Sequence, residues 1–87
     1  MLNLSQLQTF VSVVSEGSMT AAADKLYLTQ PAVSQQMKNL EDELDVELIV
    51  RGSKQIKTTA QGELLYEYAK KILSLAQQAE ISIKSVG

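Results

Sequence analysis

Neither cysteine nor histidine occurs among the 87 residues. Without thiols there is no disulfide and no thiolate nucleophile, and without imidazole the usual zinc sites and any Ser-His dyad are excluded. Long apolar runs are missing too. No stretch approaches the roughly 20 residues that a bilayer-spanning helix needs, and nothing resembles a signal peptide. A cytoplasmic protein with no membrane contact is therefore expected. There is also no excess of basic charge: 8 Lys and Arg stand against 10 Asp and Glu, a formal net charge of −2. That balance weighs against nucleic acid as a partner unless the charges are segregated along the chain. Catalysis has little to draw on, because Glu41, Asp42, Glu43, Asp45 and Glu47 crowd one stretch. Such a cluster reads as a solvated face rather than the frame of a substrate cleft. No enzyme, no cofactor and no metal site are expected.

What is present is helical periodicity, at 45% hydrophobic residues, in a chain long enough for one small domain with a modest core. Leu4, Leu7, Val11 and Val14, with Phe10 alongside, form one apolar helical face behind a cap at Asn3 or Ser5. Gly17 ends this helix and Ser18 caps the next, "SMTAAADKL", with Ala22, Ala23 and Leu26 inward. Alanines let two helices approach closely, as a compact three-helix core requires. After a turn through Tyr27 and Leu28, Thr29 and Pro31 open a third helix, since a proline in the first turn has no helical N–H to lose.

That third helix, "QPAVSQQMKNLEDEL", has two unlike ends. Phased at about 100° per residue, Val33, Met37, Leu40 and Leu44 share one side. Pro31, Gln35 and Lys38 lie opposite, flanked by Ala32, Ser34 and Asn39. The outward surface of the first turns is small, polar and free of acid. The acids begin at Glu41, ~15 Å along the axis from Pro31, beyond a Debye length of ~8 Å at physiological salt.

Beyond Asp45, "VELIV" and "IKT" flank the turn "RGSKQ" and predict a two-stranded hairpin. Arg51, Lys54 and Lys57 sit on it, with no acidic residue between 51 and 62. Charge is thus segregated after all. Thr59 caps a final helix on which Leu65, Tyr68, Ile72, Leu75, Ala79 and Val86 hold heptad positions, broken only by Ser82. Leu75 lies ~24 Å from Thr59 along the axis, too far for one small core to cover, so the stripe asks for a partner helix. The expected fold is all-α with a small β-wing: a winged helix-turn-helix over residues 1–58 and a long linker helix over 59–87.

The run "AAADKLYLTQPAVSQQMKNLEDEL" followed by "RGSKQIKTTAQG" closely resembles the N-terminal DNA-binding domain of LysR-type transcriptional regulators. The likeness covers essentially the whole chain, is strongest over Ala21–Leu48, and includes a T-x-x-G start of the linker helix at Thr59–Gly62. It implies sequence-specific binding of double-stranded DNA at a palindromic operator by a homodimer whose linker helices pair antiparallel. It further implies an effector-binding domain beyond this stretch, which makes the chain a fragment, and a tetramer in full-length members. On this reading Gln30, Ser34 and Gln35 meet bases, with Thr29, Pro31, Ala32 and Lys38 on the same surface. Ser18 and Thr20 lie at the DNA backbone, and Arg51 and Lys54 at phosphate or the minor groove. Leu65, Tyr68, Ile72, Leu75 and Ala79 form the dimer seam.

Three positions depart from the family pattern. Gln35 stands where many members have arginine, Asp45 where glycine commonly ends the helix, and Ile49 where phenylalanine is common. Asp45 is able to take the left-handed cap conformation and Ile49 to fill a core, whereas Gln35 removes a charge and with it any transfer of base preference. The rival reading is a protein-interaction module whose winged domain binds another protein; the acidic net charge favours it and the basic wing opposes it.

Overall fold

Every helix in the computed structural model, which describes residues 1–87, begins at a short polar side chain that satisfies an otherwise unpaired N–H. Asn3 Oδ1 accepts from the N–H of Gln6 and opens α1, Leu4–Glu16. The Ser18 hydroxyl accepts from Ala21 and opens α2, Met19–Leu26. Thr29 does the same for Ala32 at the head of α3, Gln30–Leu44, and Thr59 for Gly62 at the head of α4, Ala60–Ser85. Of the two caps expected for α1, Asn3 is the one used. The left-handed residues that close the first three helices are Gly17 (φ 76°), Tyr27 (φ 57°) and Asp45 (φ 54°). Asp45 therefore takes the conformation for which glycine is the commoner choice.

The core joins Leu7, Phe10 and Val13 of α1, Ala22 and Ala23 of α2, and Val33, Met37 and Leu40 of α3 to Leu48, Ile49 and Ala69. Helix α1 lies at its centre and packs on all three other helices. That position corrects the expected α1 face: Val13 is fully buried, whereas Leu4 is 50% exposed. A single 3–4 spacing describes a helix covered on one side, and α1 is covered on several. Two of its polar residues, Thr9 and Ser12, are drawn in with the rest. Thr9 is buried, its hydroxyl between the Ser5 carbonyl and the Gln36 side-chain oxygen.

The hairpin is slighter than two strands. One antiparallel bridge pairs Ile49 with Thr58, supported by Val50 N–H to Lys57 O (2.8 Å) and Thr59 N–H to Leu48 O (3.0 Å). Leu48 and Ile49 are consecutive and both buried, so this side of the hairpin is covered on both of its faces. The tip beyond Val50, turned at Gly52 (φ 80°), has only Ile56 packed against the core.

The first half of α4 belongs to the same core. Ala69 is buried, and Leu65, Tyr66, Ile72 and Leu73 pack against the cluster. The Tyr66 ring meets Phe10 edge-on at 6.4 Å. Gly62 is where α4 crosses the wing base: a Cβ there would fall 2.0 Å from the Leu48 carbonyl oxygen. No other residue fits that crossing. Past Leu73 the helix leaves the core behind and draws the molecule out to 51 × 25 × 18 Å. The expected seam is thereby divided: Leu65 and Ile72 lean on the core, while Tyr68 (58% exposed), Leu75 (67%) and Ala79 face outward. No helix is long and apolar enough to cross a membrane.

Candidate nucleic-acid interface

The start of α3 is a projecting polar surface built on a rigid base. Val33, Met37 and Leu40 anchor one side of the helix in the core, and the helical period then turns Gln30, Pro31, Ser34, Gln35 and Lys38 outward, all exposed, with Ala32 half-buried between them. The Thr29 cap fixes where the helix begins. Ser18 and Thr20 lie at the head of α2 beside it, and the Thr20 hydroxyl donates to Gln30 Oε1 at 3.3 Å. Ser18 is occupied as a cap, so what the head of α2 offers outward is its free backbone N–H groups, donors suited to an anion.

The side chains at this surface are partly pre-arranged. Gln35 Nε2 donates to Asn39 Oδ1 at 2.8 Å along the helix. A primary amide has two N–H donors, so one N–H and the carbonyl oxygen remain free. That donor–acceptor pair matches the N7 acceptor and N6 donor that adenine presents in the major groove. In the sequence Asn39 is only a flanking residue, because its role depends on the rotamer of Gln35. Lys38 rests beside Asp42 at 3.6 Å, an exposed pair that a stronger anion would displace.

The wing carries the second part of the surface. Lys54 and Lys57 are exposed and have no acidic partner within ion-pair distance. The Arg51 guanidinium, expected to face phosphate, is paired with Glu41. Glu41 in turn corrects the reading of the acidic cluster as one solvated face, for it is only 6% exposed. Its carboxylate Oε2 accepts the N–H groups of Leu48 (2.7 Å) and Ile49 (3.3 Å). Asp42, Glu43, Asp45 and Glu47 remain exposed as expected. The signal in the sequence is helical phase: Glu41 stands four residues after Met37 and one after Leu40, nearest of the cluster to the inner side of α3, and the returning 46–51 segment covers it there.

Residues 4–63 match the family model described as "Bacterial regulatory helix-turn-helix protein, lysR family". The chain belongs to the LysR family. Among curated relatives of this LysR-family domain, the HTH-type transcriptional regulator BenM of Acinetobacter baylyi is 49% identical over 77 residues, 88% of this chain and 25% of BenM. Among solved structures, the complex of the BenM DNA-binding domain with catB site 1 DNA superposes with a TM-score of 0.95 at 46% identity, covering 98% of this chain and 96% of that one. The complex of the CbnR DNA-binding domain with DNA gives 0.90 at 36% identity, covering 97% of each chain. The fold is thus that of winged helix-turn-helix LysR domains. The chain spans about a quarter of the length of the curated relatives it matches, which are transcriptional regulators.

Proposed function

We propose that this chain is the sequence-specific, dimeric DNA-binding part of a LysR-type transcriptional regulator, not an enzyme, acting on a palindromic operator in the cytoplasm. Residues 1–58 serve as the reading head and residues 59–87 as the linker helix. The single observation that carries this is the acid-free, outward start of α3, with Gln30, Ser34 and Gln35 exposed on a core-anchored helix. A helix so placed enters the major groove with its N-terminal residues at base edges. Thr29, Pro31 and Ala32 allow close approach, Lys38 leaves Asp42 for a phosphate, and the heads of α2 (Ser18, Thr20) and the wing (Lys54) bracket the groove.

One reading helix contacts only a few base pairs, and specificity against a genome needs two. Tyr68, Leu75 and Ala79 leave an apolar strip uncovered on α4, flanked by Leu65 and Ile72 and continued by exposed Leu64, Ile83 and Val86. An antiparallel pair of such helices in a two-fold dimer would bury the strip and hold the reading helices at least one DNA turn apart.

The experiment is a salt titration of binding to a duplex selected from a random library, beside a random-sequence duplex. A linear fall of log affinity with log salt, and tighter binding to the selected duplex, is the expected result. Binding to neither, with capture of a protein instead, would favour the interaction-module reading.

A further inference from the structure

Glu41 is the one acidic side chain of the molecule that is buried, and base reading makes no use of it. It sits on α3 six residues after Gln35, ~9 Å farther along the axis, and its side-chain partners all lie in the wing: the N–H groups of Leu48 and Ile49 and the guanidinium of Arg51. The Leu48 carbonyl then accepts the N–H of Thr59, and the Thr59 hydroxyl caps α4. One carboxylate therefore links the reading helix, the root of the wing and the start of the linker helix. Of the wing's three cations only Arg51 has an acidic partner.

We infer that Glu41 is the positioning residue of the wing, and that Arg51 is its internal counter-ion rather than a phosphate contact. The inference rests on the DNA-binding reading above. A buried carboxylate deprived of its cation is costly. A phosphate that drew Arg51 away would leave that carboxylate with backbone donors alone. The same phosphate would be brought nearer to the negative charge of Glu41. Lys54 and Lys57 carry no such penalty and are free to meet the DNA backbone. The wing thus presents two cations to DNA instead of three, at a height and angle set by α3.

The test uses the full chain and the variants Arg51→Gln, Glu41→Gln and Lys54→Ala, with affinities for the selected and random duplexes measured across salt concentrations. Lys54→Ala lowers the salt slope by about one unit. Arg51→Gln is expected to keep the parental slope while the selected duplex binds on the order of tenfold more weakly, the size of a lost positioning contact. Glu41→Gln retains an acceptor for the two N–H groups but frees Arg51, so the slope is expected to rise and the ratio of selected to random affinity to fall.

Hydrogen exchange of the Leu48 and Ile49 amides in the DNA-free protein supplies a readout that needs no DNA. It is expected to accelerate in Glu41→Gln and Arg51→Gln and to stay parental in Lys54→Ala. A loss of slope in Arg51→Gln equal to that in Lys54→Ala would put Arg51 on phosphate and overturn the inference. So would affinity and exchange that both stay parental in Arg51→Gln. If the parent itself shows no salt-dependent duplex binding, the DNA reading falls, while the exchange rates still decide whether Glu41 holds the wing.

Discussion

Helices α3 and α4 are built alike and left bare differently. Both start at a threonine cap, both set one face into the core around α1, and both keep another face uncovered. On α3 the uncovered face is glutamine, serine and lysine; on α4 it is leucine, tyrosine and alanine. A polar face is hydrated at little cost and can wait for a ligand with hydrogen-bonding edges. An apolar face of several turns is not at rest in water and favours a partner of its own kind. Two faces of similar geometry therefore point to two classes of partner, base edges for one and a second α4 for the other.

The most damaging change to this arrangement is expected at the joint between the two helices. Gly62→Ala drives a methyl into the Leu48 carbonyl, 2.0 Å from the position the new Cβ must take, and is expected to destabilise the fold by about 3 kcal/mol or more. Thermal unfolding followed by circular dichroism measures it, and a melting temperature within a degree or two of the parent would mean that α4 does not cross the wing as described.

Next in size is the bare strip of α4. Leu75→Glu places a charge at the centre of the proposed seam, with a loss of roughly 2–4 kcal/mol in dimer stability. The monomer's melting temperature should hold, because Leu75 is 67% exposed and lies outside the core cluster. Sedimentation equilibrium beside a DNA titration is the measurement. A variant that stays dimeric, or binds the whole palindrome as tightly when monomeric, would remove α4 from the dimer interface. Ile72→Glu is the less clean probe, since Ile72 packs on the protomer's own core and its loss mixes unfolding with dissociation.

Smaller still, and confined to α3, is the effect of Gln35→Ala. Its amide is exposed and its protein partner is Asn39, so stability should not change. Affinity for the selected duplex should fall by roughly 1–3 kcal/mol, with little change on random DNA. Equal losses on both duplexes would show a backbone contact and no reading of bases. The slightest expected effect is that of Lys54→Ala: a uniform weakening of under about 1 kcal/mol near physiological salt, and a salt slope lower by about one unit. An unchanged slope would take the wing tip off the DNA.

Much of this is legible in the sequence, for identifiable reasons. Asn3, Ser18, Thr29 and Thr59 announce helix starts because short polar side chains accept N–H bonds that the helix itself cannot. Val33, Met37 and Leu40 announce the inner side of α3 because that helix is covered on one side, and the 3.6-residue period then fixes where Gln30, Ser34 and Gln35 point. Helix α1 is less legible, because packing on several sides buries Val13, Thr9 and Ser12 and leaves Leu4 half-exposed. The wing is slighter than the two strands that its β-branched composition suggests, because only Ile49 and Thr58 pair across it as a bridge. The acids of 41–47 likewise read as one solvated group and the heptad residues of α4 as one seam, because spacing along a helix does not show which positions other segments cover.

The sequence by itself determined the four helices and their limits, the segregation of basic from acidic charge, and the polar start of the reading helix. These are local properties, carried by caps, by periodicity and by which residues stand next to one another. Only the tertiary structure decided that Glu41 leaves its acidic neighbours for the wing, that Arg51 answers it, that Gly62 must lack a side chain, and that Leu65 and Ile72 of the α4 stripe lean on the core while Tyr68, Leu75 and Ala79 face outward. Each of those depends on a segment distant in the chain folding back to within van der Waals or hydrogen-bond reach. A residue's type constrains what it can bond to, but only the packed chain sets which partner it meets.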